Sequence, residues 1–387
     1  MERIYLDHNA TTPLDPRVLG AMEPALRGNF GNPSSLHWFG QQARAAVDEA
    51  REQAAALVGA SPGELVFTGS GSEADTMALR GLAAMAREPR RKIVYGAIEH
   101  HAVLNTAKAL AEEGFHVECV RAGADGLVDL DDLRAKLDDR TALVAVMLAN
   151  NETGVIQPVS EIAALARQRG ALFHCDAVQA AGKIEIDVRR LDADTLALSA
   201  HKFYGPKGTG ALYVRRGTRM KALVRGGAQE KNRRAGTENV AGIVGFGCAA
   251  QLARAELVDD QARLGDLRDR LEAPLLAIPG ARRNGDGPRV PNTVNVSFEE
   301  IDAESLLMAL DLEGVAVSTG AACAAGAVEP SHVLRAMGLP VERVQSSVRF
   351  SLGRGNSEAE VDRAAAAVAE AVELQRRLRR KPAATRA

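Results

Sequence analysis

The chain has 387 residues, 46% of them hydrophobic, which is enough for about two domains with a large buried core. A formal charge of −2, a pI near 6.5 and 4% aromatic residues give no electrostatic or stacking basis for nucleic acid as a partner. No apolar run approaches the roughly 20 residues of a membrane span, the N-terminus has no signal-peptide pattern, and four widely spaced cysteines form neither a disulfide framework nor a zinc site, so the expectation is a cytoplasmic chain with no bound metal.

In chain order, Ile4-Tyr5-Leu6 is a short apolar segment that runs into the polar turn Asp7 to Thr12. Asp15-Pro16 opens a helix as a cap followed by proline. Asn29 to Ser35 is loop chemistry, and Ala43, Ala46, Val47, Ala50 and Ala54 mark a helix over residues 40–58. Glu64 to Thr68 reads as a strand, Gly69 to Ser72 as a turn, and 73–87 as a helix. Small residues there let a ligand approach the backbone, and a helix N-terminus offers unpaired N–H groups to an anion. On this motif alone, a phosphate cradle and plain turn geometry both remain open.

Further strands read at 92–95, 116–120, 142–148, 172–175, 196–199 and 210–214, with helices at 101–114, 129–137 and 159–169. Apolar strands alternating with amphipathic helices predict an α/β fold with a mainly parallel, doubly wound sheet. Ligands on such sheets bind beyond the strand carboxyl ends. Polar clusters follow five of the strands: 69–72, Glu99-His100, Asn150 to Glu152, Asp176 to Gln179 and His201-Lys202. Residues 225–239 form a long Gly- and Arg-rich loop suited to binding or subunit contact. A helix from Val240 to near Asp259 marks the boundary. The large domain is thus expected over 15–258, and a smaller α+β domain over 1–14 and 259–387, with strands at 293–298 and 348–352. The basic tail 376–387 reads as a solvated helix end.

Lys202 stands at the mouth of the apolar strand Thr195 to Leu198. Most of the nine lysines lie in polar surroundings, as solvated lysines do, whereas Lys202 does not. Burial favours a neutral amine, as a Schiff base requires; the competing reading is a loop lysine snorkelling over apolar surface. Asp176 either caps the segment after its strand or pairs with Lys202 in function. Pyridoxal phosphate needs such a lysine, a carboxylate for its ring nitrogen and a phosphate cradle such as Gly71-Ser72. His100 either stacks on that ring and moves protons or is a structural loop histidine, with His101 as a bystander.

Together, Tyr5-Leu6-Asp7, Ala10-Thr11-Thr12, Glu99-His100, Asn150-Asn151-Glu152-Thr153-Gly154, Asp176-Ala177-Val178-Gln179, Ser199-Ala200-His201-Lys202 and Arg233 to Asn239 resemble the pyridoxal-phosphate cysteine desulfurases of the class-V aminotransferase group. The likeness runs from about residue 4 to about 375, with the motifs in the family's order, and is nearest to the nitrogen-fixation and iron–sulfur-cluster types. It implies a fold-type-I architecture with L-cysteine as substrate. Lys202 would carry the cofactor and move the Cα proton. Asp176 would meet the ring nitrogen, Gln179 the ring oxygen and His100 the ring face, with Asn151 beside the ring oxygen and substrate. Gly71, Ser72, Ser199 and His201 would hold the phosphate. Thr237 would reach the cofactor of a second subunit in a homodimer, and Arg349 would grip the substrate carboxylate.

Cys323 decides the reaction. Residues 318–330 are small and lack hydrophobic anchors, which predicts an exposed, mobile loop, whereas Cys119, Cys175 and Cys248 read as inert core thiols. In the resembling family the loop cysteine takes up the substrate's sulfur as a persulfide and passes it to an acceptor such as an iron–sulfur scaffold; Cys323 could also transiently ligate a cluster iron. The run Cys-Ala-Ala-Gly-Ala departs from the Ser or Thr that relatives often carry, and the tail does not match the longer tail of the iron–sulfur type. A selenocysteine lyase or transaminase on the same fold, and a non-catalytic sulfur-protein adaptor, are the competing functions.

Overall fold

The computed structural model describes residues 3–319 and 330–380. The strands are β1 (Ile4–Tyr5), β2 (Leu65–Thr68), β3 (Lys92–Gly96), β4 (His116–Val120), β5 (Thr141–Ala145), β6 (Leu172–Asp176), β7 (Thr195–Ser199), β8 (Gly210–Val214), β9 (Ala281–Arg283), β10 (Thr293–Phe298), β11 (Val315–Ala316) and β12 (Ser347–Ser351). Seven of them form one sheet in the order β2-β8-β7-β6-β5-β3-β4. The five strands from β7 to β4 are parallel neighbours. β8 runs antiparallel to both β7 and β2, so the sheet is mixed at that edge. The short loop between β7 and β8 accounts for this, because a parallel return needs a crossover of a dozen or more residues.

Alternation along β7 shows how the sheet is buried on both faces. Leu196 and Leu198 join the cluster that includes Phe173, Phe203 and Phe246. Ala197, between them, joins Ala74, Met77, Ala78 and Leu82 of the helix α3 on the opposite face. Two more helices precede α3 (Gly71–Ala83): α1 (Pro16–Arg27) and α2 (Trp38–Leu57). The α3 bounds differ from the expected 73–87, because the Ser70 side chain caps the helix by accepting from Glu73 N at 3.0 Å. A separate apolar cluster joins Ile4 and Leu6 to Leu271, Val296, Phe350 and Val368 around β10, β12 and the helix Glu358–Arg380.

The helix expected to run from 240 to 259 stops at Ala255, and a second helix, Leu257–Ala277, leaves it at 72°. No single helix among the described residues is long and apolar enough to cross a membrane. Two sequence readings of burial are corrected. Lys92 and Lys183 are 4% and 7% exposed, so neither is a solvated surface lysine, and each is buried against polar partners. Cys119 is exposed, on the edge strand β4, although partial burial of its sulfur raises the thiol pKa; Cys175 is buried.

Helix Val240–Ala255 packs closely on α2. A Cβ at Gly247 would stand 2.5 Å from the Ala50 Cα, a backbone atom that cannot yield. Gly247→Ala is therefore expected to destabilise the fold by about 1–3 kcal/mol in chemical denaturation. Gly265→Ala, where a Cβ meets nothing within 4 Å, is expected to stabilise by up to about 1 kcal/mol through helix propensity.

Candidate active site

Beyond the carboxyl ends of the parallel strands lies a cavity of about 360 Å³, within the size range of small-molecule sites. The turn into α3 contributes Gly71 and Ser72, and the start of helix α4 (His101–Glu112) contributes His100. Asn151 enters after β5, Asp176 at the end of β6 with Gln179 beyond it, and Ser199 at the end of β7 with His201 and Lys202 beyond it. Arg349 on β12 completes the wall from outside the large sheet. Thr237 does not line the cavity; it is exposed, just before the helix Val240–Ala255. Cys323 lies outside the described residues, but both flanks of its segment are tied to the site. Ser318 lines the cavity and exchanges backbone hydrogen bonds with Arg349. The Ser331 hydroxyl donates to Glu152 Oε2 at 2.5 Å, and the His332 ring lies 2.9 Å from the Glu99 carbonyl.

Lys202 ends the short turn after β7, and its Nζ donates to the Asn9 and Ala10 carbonyls at 2.5 and 2.8 Å. Burial, and then the Arg349 charge, bring the amine down to about 8. Asp176 is 4% exposed, and one of its oxygens accepts from Val178 N at 2.9 Å. Burial, followed by the nearby Asp75 carboxylate, raises Asp176 to about 7. His100 caps α4: its Nδ1 accepts from Ala102 N at 3.1 Å, which leaves the ring proton on Nε2. The ring is open to solvent on one side and crowded by protein on the other, and this desolvation lowers its pKa.

At the opposite wall, Gly71 opens the first turn of α3. A Cβ there would lie 2.7 Å from Val178 Cγ2 and 3.3 Å from Ser199 Cβ, so only glycine keeps this space clear. His201 is held by a 3.1 Å contact to Thr11 Oγ1 and is neutral, burial having lowered its pKa to about 4. Arg349 is an ion-pair residue as well as a cavity residue: Nη2 meets Asp7 Oδ1 at 2.6 Å, and Nη1 donates to the Asn151 carbonyl at 3.0 Å. Its Nε and the Asn151 Oδ1 are buried without hydrogen-bond partners among the described residues. Two orphaned polar atoms, a helix N-terminus kept clear by glycine, a desolvated lysine and a buried carboxyl fit an anionic, oxygen-rich aromatic ligand such as pyridoxal phosphate.

Several residues of the site escape the sequence reading. Asn9 lies inside the opening polar turn and touches Lys202, Gln179 and Lys183. Asp75 lines the cavity, is raised to about 8 by burial, and meets His174 Nε2 at 3.1 Å. Nothing in single-residue chemistry marks Asn9. The four-residue spacing of Gln179 and Lys183 is the one usable signal for that pair.

The class-V aminotransferase family model matches residues 4–364. The cysteine desulfurase of Trichormus azollae is 49% identical, covering 98% of this chain and 95% of the relative. That of Klebsiella pneumoniae is 50% identical over 94% and 91% of the two chains. A solved structure described as a NifS-like protein superposes with a TM-score of 0.90 at 38% identity, covering 96% of this chain and all of the other. With these likenesses spanning the large sheet, the cavity and β12 alike, the chain belongs to the class-V aminotransferase family, within its cysteine desulfurase branch.

Proposed function

We propose that this chain is a pyridoxal-phosphate-dependent cysteine desulfurase that converts L-cysteine to L-alanine and leaves the sulfur as a persulfide on Cys323. The observation that carries the reading is the gathering of desolvated Lys202, buried Asp176 and the α3 N-terminus around one cavity. The overall change balances: L-cysteine and the Cys323 thiol become L-alanine and the Cys323 persulfide, with no outside oxidant or reductant. When bound, pyridoxal phosphate supplies an electron sink for the carbon skeleton.

The chain's own groups do the rest. Gly71, Ser72, Ser199 and His201 would hold the phosphate, the first two through helix N–H groups. Asp176 would hold a proton on the ring nitrogen, and a cationic donor there would draw its carboxyl back toward the ionised form. Gln179 and Asn151 would bracket the ring oxygen. His100, neutral at pH 7 with its proton on Nε2, would cover the ring face and exchange protons with the substrate. Arg349, already oriented by Asp7, would bind the substrate carboxylate. Lys202 would hold the cofactor and return a proton to the substrate carbon.

The reading extends to assembly. Thr237 is exposed off the cavity, as a residue serving a second subunit would be. Phe30, Leu36, Trp38 and Phe39 form an exposed apolar and aromatic patch, which favours a homodimer. The separate apolar cluster around β10 and β12 supports a small domain of 1–14 and 259–387 beside a large one of 15–258, although Val290, Val333, Leu334 and Val344 pack into the large domain's cluster. Delivery of sulfur to an acceptor protein, such as an iron–sulfur scaffold, in the cytoplasm completes the proposal.

The decisive experiment is the intact mass of the cofactor-loaded protein after brief exposure to L-cysteine. A gain of one sulfur on the wild type, absent in Cys323→Ser, with alanine released, is expected. Keto-acid formation without a sulfur adduct would move the assignment to a transaminase, and Lys202→Ala that keeps the cofactor's colour would overturn the role of Lys202.

Because cofactor capture needs the neutral amine, its rate should rise about tenfold per pH unit below about 8 and level off above it. A rate still climbing past pH 9 in stopped-flow absorbance would show an unperturbed lysine. Arg349→Leu is expected to raise the KM for L-cysteine roughly 10- to 100-fold through loss of hydrogen bonds to a carboxylate, measured by initial rates of alanine release.

A further inference from the structure

We propose that Lys183 is a positioning residue of this site: it clamps the Gln179 amide so that one of its N–H groups stays available to the cofactor's ring oxygen. The inference rests on the pyridoxal-phosphate reading of Gln179. Lys183 Nζ donates to Gln179 Oε1 at 2.7 Å and to Asn9 Oδ1 at 2.8 Å. The orientation of the Gln179 amide follows from its other end. Nε2 donates at 2.9 Å to the Asn9 backbone carbonyl, an acceptor that has no proton to give. Oε1 is therefore the end that faces the lysine.

The second N–H on Gln179 Nε2 makes no hydrogen bond among the described residues, and Gln179 lines the cavity. A primary amine has two N–H groups, one for each of the two acceptors Lys183 meets. Burial, reinforced by the positive Lys202 and Arg349, keeps Lys183 far below an ordinary lysine. In either protonation state Nζ has enough N–H groups to serve both acceptors. A buried amide oxygen that loses its donor turns to find another. Without Lys183, Gln179 would leave its fixed pose and take its N–H away from the ring oxygen.

The test is a pH titration of the visible absorption of the pyridoxal-phosphate-loaded protein. A donated N–H favours the deprotonated chromophore, in which the ring oxygen's negative charge is no longer offset by a neighbouring proton. Lys183→Met and Gln179→Leu are each expected to raise the titration midpoint by about one unit, the scale of one hydrogen bond to a charged oxygen. The double variant is expected to move it no further than Gln179→Leu alone. A Lys183→Met protein that holds the cofactor and titrates like wild type overturns the proposal and leaves the cofactor reading intact. A wild type that takes up no pyridoxal phosphate overturns that reading itself. Should Lys183→Met not fold, Lys183→Gln serves in its place, and a shift as large in the Gln179→Leu background as in wild type overturns the clamp.

Discussion

The carbonyl of Asn9 is the point on which the site hangs. It accepts from Lys202 Nζ and from Gln179 Nε2, so it fixes two cavity residues that come from different strand ends of the large sheet. The rest of Asn9 is tied elsewhere. Its N–H donates to Ser351 Oγ on β12, and its Nδ2 donates to Thr293 Oγ1 on β10 and to the Asn151 carbonyl. Arg349 donates to that same Asn151 carbonyl. One short segment near the N-terminus thus joins the sheet carrying Lys202 to the sheet carrying Arg349. Lys202, Gln179, Lys183 and Asn151 all share partners with Asn9, so displacing it leaves several groups unpaired, a cost of about 1–3 kcal/mol per group.

Around this hub the protein buries charge-bearing groups in number. Asp75, Glu99, Glu152 and Asp176 are all at most 4% exposed, and burial raises the pKa of every one. Burial makes the ionised form of each carboxyl costly and so favours its protonated form. Glu99 shows the compromise: Oε1 accepts from Met147 N at 2.8 Å, while Oε2 has no partner among the described residues. The cavity floor is consequently short of positive charge near Asp75 and Asp176 and rich in it near Lys202 and Arg349. A ligand with a basic ring nitrogen at one end and anionic groups at the other matches this asymmetry.

Much of this was legible in the sequence, and for physical reasons. Strands such as Thr195 to Ser199 announce themselves because both faces are buried, and polar residues directly after them fall at the ligand-binding edge. Chemistry tied to residue type, as with Lys202 and Asp176, is read from the same positions. The features that stayed hidden are those that depend on distant pairing. Lys183 looks like any lysine after a glycine until the fold brings Asn9 over it, 174 residues away in sequence. The antiparallel return of β8 follows from loop length rather than from strand composition. The break near Ala255 likewise comes from the angle between two packed helices, since both segments carry helical periodicity.

Arg349 lies where the fixed cavity meets the segment that carries the proposed thiol nucleophile. Its backbone pairs with Ser318, so the chain enters the stretch bearing Cys323 directly at the residue proposed to hold the substrate carboxylate. Cys323 follows Ser318 by five positions, a covalent reach of at most about 17 Å. Beyond the stretch, Ser331 is anchored to buried Glu152, whose neighbour Asn151 gives its carbonyl to Arg349. Both anchors therefore converge on Arg349, one at its backbone and the other, through Asn151, at its guanidinium. The residue proposed to orient the substrate thus also marks where the thiol-bearing segment departs, and covalent geometry limits how far from it the proposed nucleophile can lie.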